Sequence, residues 1–488
     1  MATGADRPEI TIVGAGLVGA LLATLLGRCG FGVKVFERRP DPRTAGFIGG
    51  RSINLALAER GLHGLRQAGL TDEVMRLATM MRGRMVHHLD GHTELLRYGR
   101  DDSEVIWSIS RGALNIALID AAERAGARFY FSRRLDQAKF SDVVRLRLCD
   151  DGDRVHEHTC AFVIGADGAG SALRKAMNAE VDIGERMEPL GHGYKELEVP
   201  ARARAEGRES RAEIHEATAA NLRVLPPSSP GPQPSLFAIE PNALHIWPRG
   251  NYMCIALPNA EGNFTVTLFM PNTGDPSFAS VRTPTEALAL FARDFADLAP
   301  LIPDLAHDFA QNPVGELATL YLDHWHLDQR ALLLGDAAHA IVPFHGQGMN
   351  SGFEDAVELA DLLSAHGDDL GWTFAEFERR RRPNAEAIAT MALENYVEMR
   401  DSVADPEFLL RRELARLLAA RHPERFMPRY SMVTFTRMPY AQALARGAEQ
   451  TELLRELTNG KTQIEDIDLS RADTLVEQRL TPLDRPAD

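Results

Sequence analysis

Residues 10–26, ITIVGAGLVGALLATLL, constrain this chain more than any other stretch. A short apolar strand over residues 9–13 runs into glycines at positions 14, 16 and 19, and an apolar helix over 17–29 follows. Gly14 permits the tight turn, Gly16 lets backbone approach a pyrophosphate, and Gly19 lets helix and strand pack closely. Leu17 and Val18 open a helix whose first amides present partial positive charge to phosphate groups. A second strand, GVKVFE over 32–37, ends in Glu37, an acid placed to accept hydrogen bonds from a ribose diol. Glycines at this spacing also arise in ordinary turns. The strand before, the helix after and the distant acid together favour a dinucleotide, without separating FAD from NAD.

A second segment about 300 residues downstream, LLLGDAAHAIVPFHGQGMNSGFEDAVELA, makes that separation. In a flavin layout Gly335 and Asp336 meet the ribityl and pyrophosphate portion. Gly348, Met349 and Asn350 then open a helix whose amides face the pyrimidine end, where a positive helix terminus stabilises the anionic reduced ring. The plainer reading of GDAAH is a strand-to-helix turn with a capping Asp. Between the two segments lies GADGAGSALRKAM, with Asp167 and Arg174. It is either a strand–turn–helix corner with its Arg exposed or a second support for the dinucleotide, near where NADPH docks.

A chain of 488 residues calls for two or three domains. The formal charge of -15 argues against nucleic acid and anionic membrane surfaces as partners. Cys29, Cys149, Cys160 and Cys254 include no CxxC pair, so no zinc site is expected and the thiols suit a reducing compartment. No stretch approaches the roughly 20 uninterrupted apolar residues of a membrane span. These features lead us to expect a cytoplasmic protein.

The fold expected is α/β: a Rossmann-like, GR2-type FAD-binding domain, an antiparallel-sheet substrate domain and a helical C-terminal region. The FAD-binding domain takes residues 1–185 and 313–375, and the substrate domain takes 186–312 plus a hairpin at 83–99. Residues 376–460 form the helical region and 461–488 a polar tail. Helices are expected over 59–68, 71–78, 111–126 and 284–298, with strands over 193–199, 243–247, 253–257 and 264–270. The charged and Pro/Ser-rich stretch at 201–235 reads as an exposed excursion.

Longer blocks narrow the reading further. GRSINLALAERGLHGLRQAGL, RGRMVHHLDG, HGYKEL, ALHIWPRG, NFTVTLFMP, ENYVEMRD and RYSMVTF, together with the glycine segments, resemble the kynurenine 3-monooxygenase family of group A FAD-dependent aromatic hydroxylases. The resemblance runs from about residue 10 to 435. It implies tightly bound FAD, NADPH as a transient co-substrate, and O2. Hydroxylation of L-kynurenine beside its aromatic amine would pass through a C4a-hydroperoxyflavin, in tryptophan catabolism.

By the same resemblance Glu37, Arg38, Ala56, Arg111, Leu135, Asp336, Met349 and Asn350 touch FAD. Arg84, Tyr98, Asn395 and Tyr430 hold the amino-acid end of the substrate. Arg84 offers a planar fork to a carboxylate, the tyrosines phenolic donors, and Asn395 a neutral amide. Arg84 and Tyr98 flank an Asp90-Gly91 turn. A two-residue loop would offset them on opposite faces, whereas a three-residue loop would set them directly opposite on one face, so the longer loop is expected.

Pro343, Phe344 and His345 are the candidate catalytic wall over the flavin ring. His345 either hydrogen-bonds the substrate's carbonyl or amine or stands as an oriented wall residue. Phe264 and Met399 are candidate apolar walls around the aryl ring, with plain core as the alternative. Glu398 is a further candidate to influence the flavin, and residues 440–457 are a candidate lid. The chain departs from organelle-attached members in lacking a hydrophobic tail, and a monomer or homodimer is expected. Competing readings are a phenolic-acid hydroxylase of the same fold, a flavin redox sensor without turnover, and a flavin-free Rossmann dehydrogenase.

Overall fold

The structure is a computed structural model that describes residues 8–45, 54–202, 236–399 and 405–483. Two sheets dominate it. The first has six strands in the order β18 (His326–Leu327), β19 (Ala331–Leu333), β12 (Val163–Gly165), β1 (Ile10–Val13), β2 (Val33–Phe36) and β8 (Arg128–Tyr130). All neighbours are parallel except the edge strand β18. Parallel strands covered on both faces need unbroken apolar sequence, and β1, β12 and β19 are buried along their whole length. Helix α1 (Leu17–Arg28) packs on this sheet, and with two later helices its apolar residues join one large core.

Two small sheets attach to this body. One is β9 (Arg134–Phe140), β10 (Val144–Cys149) and β11 (Val155–Cys160). The other is β3 (Leu55–Leu57), β4 (Ala78–Met81) and β7 (Ile106–Ile109). Between β3 and β4 lie α2 (Glu59–Ala68) and α3 (Thr71–Met75). The helix expected to reach residue 78 therefore stops at Met75, because the ATMM run pairs edge-on with β7.

The second large sheet has seven strands. Their order is β17 (Gly315–Tyr321), β13 (Arg186–Val199), β16 (Phe264–Pro271), β15 (Met253–Pro258), β14 (Leu244–Pro248), β5 (Gly83–His87) and β6 (Thr93–Arg97). Strand β13 is twice as long as expected, since its first half pairs with β17 across a register shift between Pro189 and Gly193. Residues 315–321 thus belong to this sheet rather than to the flavin-type body. Strand β5 enters by parallel pairing with β14, with Arg84 opposite Leu244.

The sheet has two unlike apolar faces. Phe264, Val266, Leu268 and Met270 of β16 point to helices α6 (Pro284–Asp294) and α7 (Leu305–Gln311). Phe269 points the other way, into a cluster with Phe344, Tyr396 and Met399. The period of two along a strand dictates that split.

Helices α4 (Arg111–Arg124) and α5 (Ala172–Glu180) flank the first sheet. Helix α8 (Gly348–His366) follows the downstream glycines and α9 (Leu370–Val397) runs from it toward the second sheet. The chain ends in α10 (Pro406–Arg421), α11 (Arg429–Phe435), α12 (Tyr440–Thr458) and α13 (Leu469–Arg479). Helix α13 corrects the polar tail. Ala472, Val476 and Leu480 recur every fourth residue and bury against Leu414, Leu418 and Leu453, while Asp468 caps the helix by accepting from the Ser470 and Arg471 amides. That stripe is one residue wide and is hidden among charges.

The excursion expected at 201–235 falls, from residue 203 on, outside the described residues, as does the start of the GRSINLALAERG block. Among the described residues no helix is long and apolar enough to cross a membrane.

Candidate active site

The glycine turn is built by backbone. Gly14 has φ +106, and a Cβ there would lie 2.4 Å from the Ala166 carbonyl oxygen, so only glycine fits. A Cβ on Gly16 would meet nothing within 4 Å, which leaves open space over the start of α1. The Glu37 carboxylate accepts from the Ala15 amide at 2.8 Å and the Arg39 amide at 2.9 Å, so it already braces the turn it faces. The cleft there is lined by Ala15, Gly16, Glu37, Arg39 and Asn115, with Arg38 exposed beside it. Asn115 was not anticipated. Its amide donates to the Ala15 carbonyl at 2.9 Å, and its signal was a buried polar residue on an apolar helix face.

Val18 joins the two glycine segments, its methyls sitting 3.2 Å from the Cβ position of Gly335 and 2.6 Å from that of Gly352. Leu17 and Met349 pack beside the same core, and Leu135 is buried in it on β9. Asp336 is exposed, with Oδ1 at 3.9 Å from the Cβ position of Gly348. The Gly335 amide before it donates to buried Asp355 at 3.0 Å. Asp355 also accepts from His339 at 2.6 Å and Arg381 at 2.7 Å, and these two partners hold its carboxyl below the usual range against burial.

Two expectations change here. The Asn350 amide group donates to the Ala56 and Gly346 carbonyls at 2.8 Å each and accepts from the Ala58 amide at 3.0 Å. It clamps β3 to α8 and leaves only its backbone for a ligand. The Asp167 carboxylate accepts from Ser171 and from the Ala172 and Leu173 amides, capping α5. Arg174 is buried rather than exposed, donating to Glu185, Ala169 and Ala337. The corner is therefore self-satisfied.

At the other end, four remote segments converge. The β5–β6 hairpin has a three-residue loop, 89–91, with Gly91 at φ +84. Arg84 pairs with Leu96 and not with Tyr98, whose amide donates to the Arg82 carbonyl at 3.0 Å. An offset of two keeps Arg84 and Tyr98 on one face as diagonal neighbours, with the guanidinium 5.8 Å from the Tyr98 ring. It is 5.2 Å from Tyr430, and the two tyrosine rings stack at 5.4 Å.

Arg84 reaches Asn395 Oδ1 only at 3.5 Å and Glu398 at 3.8 Å, with 15% of its side chain exposed. A five-donor fork with contacts this long has capacity for a carboxylate. Burial pushes the Tyr98 and Tyr430 phenols upward, so both are neutral donors.

Asn395 donates to the Phe344 carbonyl at 2.6 Å and lies 3.4 Å from the Met399 sulfur. The Phe344 ring packs on Tyr396 at 4.3 Å and Phe269 at 5.0 Å. His345 stacks on Tyr430 at 5.4 Å, and Pro343 opens the same turn. Burial, aided by Arg84, Arg429 and Arg60, pulls His345 down to about 3, so it is a neutral imidazole.

Phe264 is absent from this cluster. It contacts Phe237 and His245 on the reverse face, and Phe269 takes the place expected for it. Tyr396 was also missed, although Ala392, Asn395, Tyr396 and Met399 share one helical face by spacing. Residues 440–457 are no free lid: Tyr440 in α12 is fully buried and its hydroxyl donates to Gln347 at 2.9 Å.

The residues fit a flavin. Arg111 Nε at the start of α4 and His345 Nδ1 are buried without protein hydrogen-bond partners, and the Gly16 face is open.

Comparison with known proteins follows the same lines. A family model described as FAD binding domain matches residues 7–244 and 292–392. A kynurenine 3-monooxygenase of Xanthomonas axonopodis pv. citri is 57% identical over 481 residues, covering 98% of each chain. One from Xanthomonas campestris pv. campestris is 54% identical over 485 residues, covering 99% of each. Among solved structures, CtdE in complex with FAD and its substrate superposes with TM-score 0.64 at 15% identity, covering 93% of this chain and 100% of that one. A 2-methyl-3-hydroxypyridine-5-carboxylic acid oxygenase does so at 0.59 and 20% identity, covering 83% and 96%. These two likenesses concern the fold.

Proposed function

This chain belongs to the kynurenine 3-monooxygenase family, and from that premise we propose that it hydroxylates L-kynurenine to 3-hydroxykynurenine with FAD, NADPH and O2. The observation that carries the reading is the Arg84 guanidinium, enclosed by Tyr98 and Tyr430 and held only at 3.5 Å by Asn395 and 3.8 Å by Glu398, beside the Phe344 wall that Asn395 joins. A carboxylate on Arg84 would place an aryl ring along Phe344, Phe269 and Met399.

The bound flavin would rest on Gly14, Gly16, Glu37, Arg111, Asp336 and the amides of Met349 and Asn350, and it would supply the redox chemistry that activates oxygen. The protein's residues orient and enclose. Arg84, Tyr98, Tyr430 and Asn395 grip the amino-acid end, and the apolar wall excludes water. Kynurenine's ring amine already makes the adjacent carbon electron-rich, so no protein base is needed there. A neutral His345 without a carboxylate partner fits that demand and acts as an oriented wall. We read the enzyme as a monomer or homodimer working in the cytoplasm, where cysteine thiols stay reduced.

The test is oxygen consumption with L-kynurenine and NADPH, the product identified by mass. A product one oxygen heavier supports the reading. Turnover of hydroxybenzoates alone, or oxidation of NADPH indifferent to kynurenine, would overturn it.

A further inference from the structure

Arg60, on α2, has a fully buried side chain. Burying a guanidinium costs several kcal/mol unless it is paired and hydrogen-bonded. Here it is both. One nitrogen donates to Glu354 of α8 at 2.6 Å, another to the Val433 carbonyl at 3.4 Å, and a third to the Met438 carbonyl. The guanidinium also lies 3.8 Å from the centre of the Tyr440 ring.

These partners sit on separate segments, α8 on one side and α11 with the link after it on the other, and α11 also packs through Met432 and Val433 against Ile388 and Met391 of α9. Glu354 accepts a second arginine, Arg381 at 2.8 Å, which bonds Asp355, which holds the Gly335 amide. That branch ends at the flavin seat. Val433 and Met438 belong to the end of α11 and the link after it. A helix leaves its last carbonyls without intrahelical partners. Thr436 takes that of Met432 at 2.6 Å, and Arg60 takes that of Val433. Helix α11 is only seven residues long and carries Tyr430 in its first turn. The stack of Tyr430 on Tyr98 and on His345 therefore depends on where α11 is fixed relative to α8.

We propose that Arg60 is a positioning residue for the substrate end of the site, setting through Glu354 and the Val433 and Met438 carbonyls the distance of Tyr430 from the flavin helix. The proposal rests on the reading of Tyr430 as a kynurenine contact. Arg60→Lys keeps the charge opposite Glu354 but loses the fork that reaches carboxylate and carbonyls together.

The experiment is a double-mutant cycle on the FAD-loaded full chain. L-kynurenine affinity is followed by the change in flavin absorbance, and FAD affinity by quenching of flavin fluorescence. Arg60→Lys is expected to weaken kynurenine about tenfold with FAD affinity unchanged, and to add little to Tyr430→Phe in the double variant. Full additivity would overturn the proposal, as would a fall in FAD affinity large enough to explain the kynurenine loss. If Tyr430→Phe alone leaves kynurenine affinity intact, the site reading itself fails and the proposal with it. Should Arg60→Lys not fold, Arg60→Gln breaks the same link while leaving the Glu354–Arg381 pair in place, and it must show the same split between the two ligands.

Discussion

The flavin end and the substrate end of this protein are made by opposite means. At the flavin end the chain presents backbone: Gly14 and Gly335 take positive φ, Gly16 is bare, and the side chains of Glu37, Asn350 and Asp355 hold that backbone in place. At the substrate end the backbone is far away and the work falls to Arg84, Tyr98, Asn395 and Tyr430, drawn from a hairpin, a long helix and a short one. Backbone recognition tolerates no added atom, whereas side-chain recognition is lost piecemeal. Substitutions should therefore fail abruptly at one end and gradually at the other.

The sharpest break should come at Gly14. Gly14→Ala sets a methyl against the Ala166 carbonyl in a backbone conformation that alanine avoids, and the purified protein should be colourless. A yellow Gly14→Ala protein would remove the contrast altogether.

Next, Arg84→Ala should keep its flavin spectrum and raise the KM for kynurenine by about a hundredfold, as expected for a charged pair lost from an enclosed site. Normal kynurenine saturation in that variant would place the carboxylate elsewhere.

The two phenylalanines of β16 sharpen the comparison within one strand. Phe264→Ala should lower stability by about 3–5 kcal/mol and leave the KM of the folded enzyme alone. Phe269→Ala should raise KM with a smaller stability loss, and the reverse pattern would restore Phe264 to the wall.

A further effect concerns acid. His345 has its native value pulled from 6.5 to about 3, so as pH falls the unfolded chain takes up the proton first. Its contribution to stability is complete above pH 6.5 and is lost as pH drops toward 3. Urea titrations across that window should give a shallower acid slope for His345→Gln than for the parent protein.

The same contrast explains what could be read from the sequence. The flavin end lies in short contiguous motifs whose glycines are dictated by local geometry, so strand, turn, helix and acid were all legible. Even there, the bracing roles of side chains were hidden. Asn350 and Asp167 have their polar atoms committed within the fold, and only tertiary contacts reveal it. The substrate end is gathered from positions over 300 residues apart, and periodicity has no access to which remote segments meet. Family resemblance supplied Arg84, Tyr98, Asn395 and Tyr430. The candidate Phe264, for which plain core was the alternative, lies one face away from Phe269 because strand alternation puts it in the core. The error in the hairpin was of the same kind: loop length was right, but the register placed Tyr98 diagonal to Arg84. Helix α13 escaped because its apolar stripe is too thin to stand out from the charges around it.

The route of the chain between the sheets has a practical meaning for anyone redesigning the enzyme. Strands β4 and β7 bracket the β5–β6 hairpin, so the polypeptide departs from the flavin body, lodges Arg84 beside β14, and comes home again before the larger excursion begins. Aryl-acid preference is thus interleaved with cofactor binding rather than appended to it. No single cassette can be lifted into another flavoprotein; a graft would have to carry the hairpin, the seven-stranded sheet and the α9–α11 face together, in register.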